Sequence, residues 1–508
     1  MNESTSSKRV VINSIIYSCS CILMKCFSFF LLPLYTAYLS TEDYAISSLA
    51  TSFTTTMSFI VALSLYSAIM RFYVDLKKTP EKLRRFYGTV SLFSFLSGIV
   101  WMLLFTVFRA PLSKYVFSNV PFFPIILVAI VEMIFFCQVT IFDDILKSQQ
   151  KALKSSIINL ISFLLKIGLN VLVVVVYRLG ALGTLLSALI TDVLYTLYFV
   201  ISFSRAGEIR FFIDLKLLKE ALRYSIPIMP HNLSTRIALL VSKVLIGDVA
   251  SLASLGIYSV AAQFGDIADT LQGYVDKAYQ PWLYEKLSAG EKNYKESIRE
   301  TVRMLTAVLG FLFLAIAFFA QDYILLFVNK AYADSWRYIP FIILVFAIKT
   351  AYYFYVEVLF YNKKSSKILF TSTLTSNLLN VFLSFFLIPA YGVIGSIAAD
   401  AIAMLVRVAI VVIISRRIDD VGLKLKDFIA NFFVICAFLA AGMSLSYLKF
   451  GNTFSIINLL FKTGVLLAYV ALVYFKYRKQ LIELLRSFFK SGRRSGQKTE
   501  EQMETEVP

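Results

Sequence analysis

Histidine is almost missing from this chain: His231 is the only one in 508 residues. A multi-histidine metal centre is excluded on that ground. Cysteine is scarce as well, and Cys19, Cys21, Cys26, Cys137 and Cys436 all fall inside apolar stretches. Their spacing matches no metal site, and a disulfide framework is not expected. No phosphate loop, metal cluster or nucleophile triad is visible elsewhere. Charge is the third shortage. Only 16% of the residues are charged while 58% are hydrophobic, and the mean hydropathy is +0.73. That balance excludes an ordinary soluble domain.

What the chain has instead is long apolar runs. Taking about 20 apolar residues as one helical crossing, the runs at 11–38, 44–70, 88–108, 116–141, 156–177, 181–204, 224–247, 250–274, 302–320, 336–361, 368–389, 392–414, 428–448 and 454–475 predict about fourteen transmembrane helices. The expectation is an all-α integral membrane protein. Arg9 and Lys8 precede the first run, which continues past signal-peptide length without a small-residue cleavage site, so it is expected to stay as a span.

The formal charge of +18 points to nucleic acid only if it sits on a folded surface. It alternates by loop instead: the tails and even-numbered loops hold about 37 of the Lys and Arg residues, the odd-numbered loops about 6 and the spans about 7. Arg71, Lys77, Lys78, Lys82, Arg84 and Arg85 share one loop, whereas the preceding turn carries Glu42 and Asp43. Both termini are therefore expected in the cytoplasm. The basic surplus reads as a topology signal with affinity for anionic lipid headgroups, and no nucleic-acid partner is expected.

The chain repeats itself. Leu169, Asn170 and Val171 lead through an apolar stretch to Gly180 and Gly183, and Leu379, Asn380 and Val381 lead in the same way to Gly392 and Gly395. Tyr44, Ala45 and Ile46 pair with Leu255, Gly256 and Ile257, which sets an offset of about 211 residues between the halves. Internal duplication in a polytopic membrane protein is the usual architecture of a transporter, because two related bundles can rock about a site between them. The expected layout is a first lobe over 1–205 with six spans, an interfacial linker over 206–223 and a second six-span lobe over 224–415. Two further spans over 416–478 and a partly disordered cytoplasmic tail over 479–508 complete it. Phe211, Phe212, Leu215, Leu218 and Leu222 interleave with Arg210, Lys216 and Lys219 in the linker, as suits a helix lying in the interface. A similar segment is expected over 277–303.

Carried back into the first helix of each half, the offset sets Lys25 opposite Arg236. Lys25 lies roughly 24 Å of helix from Arg9 and a similar distance from Glu42, too deep for easy snorkelling, and Arg236 stands about equally far from Arg223 and Asp248. Ser14, Ser18, Cys21, Lys25 and Ser28 share one helical stripe, as do Ser225, Asn232, Arg236 and Lys243. Thr51, Thr55 and Ser58 form a stripe in the second span, and Gln263, Asp266 and Asp269 one in the eighth. Spans one, two, seven and eight thus predict a wet cleft with cationic walls, suited to an anionic solute. The alternative is that the cations lock helices together by pairing, for example Arg236 or Lys243 with Asp266 or Asp269. Glu132, Lys166, Asp192, Lys349, Glu357, Asp400, Arg407 and Lys462 are the other intramembrane charges. Their carboxylates, together with Asp266 and Asp269, are open to two readings, coupling to H⁺ or Na⁺ and interhelical ion pairing. His231 follows Pro227 and Pro230, where the turn is loosened into a hinge.

The fourteen spans, the starts of spans two and eight and the two Asn to Gly-x-x-Gly units resemble the polysaccharide flippases of the multidrug/oligosaccharidyl-lipid/polysaccharide exporter (MOP) superfamily, in particular O-antigen-type (Wzx) flippases. Ala45 stands where that family usually has Gly. The resemblance implies two six-helix lobes around a cleft formed by spans one, two, seven and eight. It also implies a multi-pass protein of the inner membrane, not an enzyme and without a cofactor. Its cargo would be an undecaprenyl-pyrophosphate-linked oligosaccharide for O-antigen, capsule or exopolysaccharide, moved to the outer leaflet beside polysaccharide polymerase or assembly proteins. On that reading Lys25 and Arg236 serve the phosphates, Thr51, Thr55 and Gln263 face sugar, and Lys243 is a further residue lining the cleft. A lipid II flippase and a drug/cation antiporter are the rivals within the superfamily. A membrane polymerase or ligase is the rival outside it, but such an enzyme needs substantial external loops and these are short.

Overall fold

A computed structural model describes residues 20, 22–25, 27–289, 293–362 and 366–478. Every regular element among them is helical, as a lipid solvent demands of apolar segments whose backbone polar groups must be satisfied internally. Apart from a two-turn helix over Arg109–Tyr115, they are in chain order α1 (Ile22–Tyr38), α2 (Thr41–Val61), α3 (Tyr66–Leu76), α4 (Pro80–Val107), α5 (Phe122–Ser148), α6 (Ala152–Val176), α7 (Gly180–Arg205) and α8 (Leu215–Ser225). There follow α9 (Met229–Leu245), α10 (Leu252–Ala289), α11 (Tyr294–Phe327), α12 (Lys330–Tyr361), α13 (Leu369–Ile418), α14 (Leu425–Phe450) and α15 (Ile456–Arg478). Among the described residues nine helices are individually long and apolar enough to cross a membrane, and α2 with α3 forms a further broken span bent by 45°. One of the nine, α13, contains two of the sequence-predicted spans, folded about Gly392. The tail beyond residue 478, with Ser14, Ser18 and Cys21 of the first stripe, lies outside the described residues.

The two Gly-x-x-Gly turns have one local explanation. Gly180 and Gly392 both adopt left-handed backbone, at φ +54° and +57°, a region that penalises any Cβ. Gly183 and Gly395 serve close approach: a Cβ on Gly395 would lie 1.9 Å from the Leu387 carbonyl oxygen, and one on Gly183 3.1 Å from a Val174 methyl. In the first copy the turn is also tied to α2. The Asp43 carboxylate accepts from the Ala181 N–H at 3.0 Å and closes a capping box with Ser40, satisfying orphan donors at two helix starts.

By compactness the chain divides into two units that interleave in sequence. One comprises the chain to residue 263 with 327–338 and 370–407; the other comprises 264–326, 339–369 and 408 onward. Within the first, an aromatic core joins Phe86, Phe142, Phe199 and Phe203, with Phe142 and Phe199 stacked at 5.2 Å. The linker docks on this core. Leu218 and Ala221 of α8 are buried in it, the Arg210 N–H donates to the Arg84 carbonyl, and Thr89 donates to the Phe212 carbonyl at 2.9 Å. Phe211 and Phe212 precede the helix and are exposed, as is Leu215. The segment 277–303 differs from its sequence-based expectation: its described parts lengthen two long helices, α10 running to Ala289 and α11 starting at Tyr294.

The starts of the repeat-related spans two and eight meet directly. Gly256 of α10 packs against the backbone of Thr41, whose carbonyl oxygen would be 2.0 Å from an added Cβ. Backbone lies on both sides, so no side chain can yield. Gly256→Ala is expected to lower stability by about 1–3 kcal/mol through overpacking, read as a drop in the melting temperature of the purified protein.

Candidate functional site

The helices expected to wall the cleft belong, up to residue 263, to the first compact unit. Helix α9 lies along α2, held by side chains that each reach a different level. At one end the Lys243 Nζ donates to Ser48 Oγ and Ser52 Oγ, both at 2.8 Å. Midway, Thr56 Oγ1 donates to the backbone carbonyl of Arg236 at 3.3 Å. Further along, the Asn232 amide donates to Ser67 Oγ at 3.2 Å. Gln263 reaches Tyr44 through its amide nitrogen. Ser48, Ser52 and Thr56, the α2 residues bonded to α9, are not among those the stripes single out, although they fall beside Thr51 and Thr55.

Within this frame the candidate cations divide. Lys243 is engaged with the α2 serines. Arg236 is exposed, and its guanidinium makes no ion pair or side-chain hydrogen bond among the described residues. Lys25 is exposed on α1 and likewise makes none. Thr51 is exposed and Thr55 half-buried; each turns its hydroxyl back to a carbonyl one turn earlier, at 2.8 and 2.9 Å. Such a hydroxyl keeps its oxygen lone pairs for a further donor.

Behind Arg236 stands a polar relay joining three spans. Asn377 of α13 donates to Ser234 Oγ and Thr235 Oγ1 of α9, both at 2.9 Å. Its own carbonyl accepts from Arg407 Nη2 at 2.6 Å, while Arg407 Nε donates to Ser376 Oγ at 2.7 Å. Asp400 accepts from the Asn380 amide at 2.6 Å, across the Gly392 fold. The sequence placed Asp400 and Arg407 on one face; their partners on the preceding span were not foreseen. His231 lies near Phe370, ring centroids 6.1 Å apart, in the first turn of α9, which Met229 and Pro230 open after the turn at 226–228.

The second unit engages others of the charges. Lys349 Nζ donates to Asp269 at 2.5 Å, and Tyr353 Oη donates to the same carboxylate at 3.2 Å. Lys349 is thus the cation bonded to Asp269 within its unit. Glu357 accepts from Gln280 at 2.8 Å and Tyr284 at 2.9 Å. In the first unit Glu132 accepts from Thr54 at 2.6 Å. Asp266 is exposed on α10. At the loop before α14, the Gly422 N–H at 3.2 Å and the nearby Lys295 hold the Asp420 carboxyl below its usual range.

The described helices and their pairing define an all-helical integral membrane protein, and comparison with solved structures identifies the fold. The lipid II flippase MurJ in an inward closed conformation matches with a TM-score of 0.68 at 17% identity, over 92% of this chain and all of that one. An inward-facing multidrug resistance MATE transporter of the MOP superfamily matches with a TM-score of 0.54 at 14% identity, over 80% and 94%. A MOP superfamily transporter from Pyrococcus furiosus with a binding pocket of reversed polarity matches at 0.53 and 16%, over 82% and 97%. In sequence, 124 residues are 30% identical to an uncharacterized membrane protein of Haemophilus influenzae; the match spans 24% of this chain and 30% of that protein. Residues 10–284, more than half of the chain, match the polysaccharide biosynthesis protein family, and the chain belongs to that family.

Proposed function

We propose that this protein is a flippase that moves a polyprenyl-pyrophosphate-linked oligosaccharide, a repeat unit of O-antigen, capsule or exopolysaccharide, from the cytoplasmic to the outer leaflet of the inner membrane by alternating access. The observation that carries the reading is Arg236, a mid-span guanidinium left without an ion pair or side-chain hydrogen bond among the described residues, on a helix otherwise fastened to its neighbours. An uncompensated cation at that depth is costly and calls for an anionic partner. Membership of a polysaccharide biosynthesis family makes a phosphate-linked glycan the fitting anion. A guanidinium offers a planar fork to phosphate oxygens, and Lys25 adds a second charge from the related helix. Thr51, Thr55 and Gln263 offer the hydroxyl and amide groups that sugars bond. Asp269, Glu357 and Asp400 are the carboxylates through which an H⁺ or Na⁺ gradient would couple to the cycle.

Deletion of the gene is expected to leave lipid-linked oligosaccharide on the cytoplasmic leaflet, detected by leaflet-selective labelling of spheroplasts. Normal arrival at the outer leaflet, in a host with no second exporter, overturns the assignment. Arrest of peptidoglycan synthesis with surface polysaccharide intact assigns the lipid II cargo instead.

A further inference from the structure

One groove of the first unit lies apart from the residues expected to line the cleft. It runs between α6 and α7, encloses about 570 Å³ and is walled by Ile157, Ile161 and Leu165 on one side and Leu194 and Tyr198 on the other. These side chains are exposed, Ile161 to 60% and Tyr198 to 48%. Lys154 closes one end.

Three lysines crowd that end, and two are already neutralised. Lys147 pairs with Asp143 at 2.7 Å and Asp144 at 3.2 Å, and Lys151 pairs with Glu208 at 3.0 Å. Lys154 makes no ion pair among the described residues; its Nζ stands 5.7 Å from the centre of the Phe203 ring. The loop asymmetry of Lys and Arg assigns this end to the cytoplasm. From Lys154 to Leu165 the helix rises about 16 Å, close to half of the roughly 30 Å hydrocarbon core of a bilayer.

We propose that this groove holds one anionic glycerophospholipid of the cytoplasmic leaflet, with an acyl chain along α6 and α7 and its phosphate on Lys154. A groove one leaflet deep fits an acyl chain, and the single unspent cation at its mouth fits a phosphodiester. A cargo polyprenyl tail fits less well. It would have to enter beside the cleft helices, and the groove shares no residue with Lys25, Thr51, Thr55, Arg236, Lys243 or Gln263. The proposal stands apart from the flippase reading, because it concerns a resident lipid and needs no transport.

The full-length protein, reconstituted in nanodiscs of equal parts phosphatidylglycerol and phosphatidylcholine and released for native mass spectrometry, is expected to retain phosphatidylglycerol in preference. Lys154→Ala should cut that retention about fivefold, the factor equivalent to the ~1 kcal/mol that one lysine contributes at an anionic surface. Phosphatidylcholine retention should stay unchanged and Lys154→Arg should keep the preference. Ile161→Trp, at an exposed site where folding tolerates bulk, should displace both lipids. Equal retention of the two lipids by the wild type, or unchanged phosphatidylglycerol in Lys154→Ala, overturns the proposal. Loss of transport in Ile161→Trp with lipid retention unaltered also overturns it, by giving the groove to the cargo tail.

Discussion

Asp322→Ala is expected to destabilise the protein by about 3–5 kcal/mol, the cost of leaving a buried charge without its partner. The charge is Lys462, which is completely buried. Its Nζ donates to Asp322 Oδ2 at 2.5 Å and to Gln321 Oε1 at 3.1 Å. The same Gln321 oxygen accepts from Asn458 at 3.1 Å, and the Gln321 amide donates to the Gly451 carbonyl at 2.7 Å. One cluster therefore fastens α15 and the end of α14 to α11. Water cannot enter to solvate the orphaned ammonium, so the loss of one carboxylate is felt in full. The pair itself need not be stabilising, since desolvation of both ions offsets most of their attraction. Asp322→Leu combined with Lys462→Met should accordingly melt close to the wild type, while Asp322→Ala alone melts far below it. Detergent-solubilised protein followed by size-exclusion after graded heating measures both. Equal melting of Asp322→Ala and the double variant would remove the argument.

That cluster also marks where sequence reading ends. Lys462 was recognisable as an intramembrane charge, but its partner was not. The apolar run of span nine ends at Ala320 by hydropathy, whereas α11 continues to Phe327, so Asp322 reads as loop although it is a buried helical residue. Hydropathy registers the lipid-compatible part of a helix, and a charge paired inside the protein interrupts the signal without interrupting the helix. Arg407 shows a second blind spot. Periodicity sets it on one face with Asp400, yet its partners Ser376 and Asn377 lie on the preceding span, across a fold at Gly392. Pairing between helices is tertiary and leaves no period.

The glycine turns were legible for the opposite reason. Left-handed backbone at Gly180 and Gly392 and close approach at Gly183 and Gly395 are local requirements that only one residue type meets. A duplicated motif then repeats the same local physics. Lys25 and Arg236 were reached through that register, but register sets position along a helix and says nothing of partners. It is the network around them that separates Arg236 from Lys243: the two lie seven residues apart on α9, and one is bonded to α2 serines while the other has only its backbone engaged.

Arg236→Ala should therefore act on transport and leave folding alone. Its carbonyl still accepts from Thr56, so the contact between α9 and α2 survives the substitution. A hydrogen bond to a charged group contributes about 1.5–3 kcal/mol, and its loss should slow export by roughly ten- to a hundredfold. Arg236→Lys should retain part of the activity, because an ammonium supplies the charge without the guanidinium fork. Lys25→Ala should lower export by a similar factor, and the double variant should fall to background. Arg407→Ala serves as the contrast. Its guanidinium is spent on Ser376 and Asn377, so it should reduce the amount of folded protein before it reduces export per molecule. Export of lipid-linked oligosaccharide, normalised to membrane protein level, distinguishes the two effects. Full export by the Lys25 and Arg236 double variant at wild-type abundance would remove both cations from the phosphate path. Export restored by normalising to protein level would move Arg236 into the same structural role as Arg407.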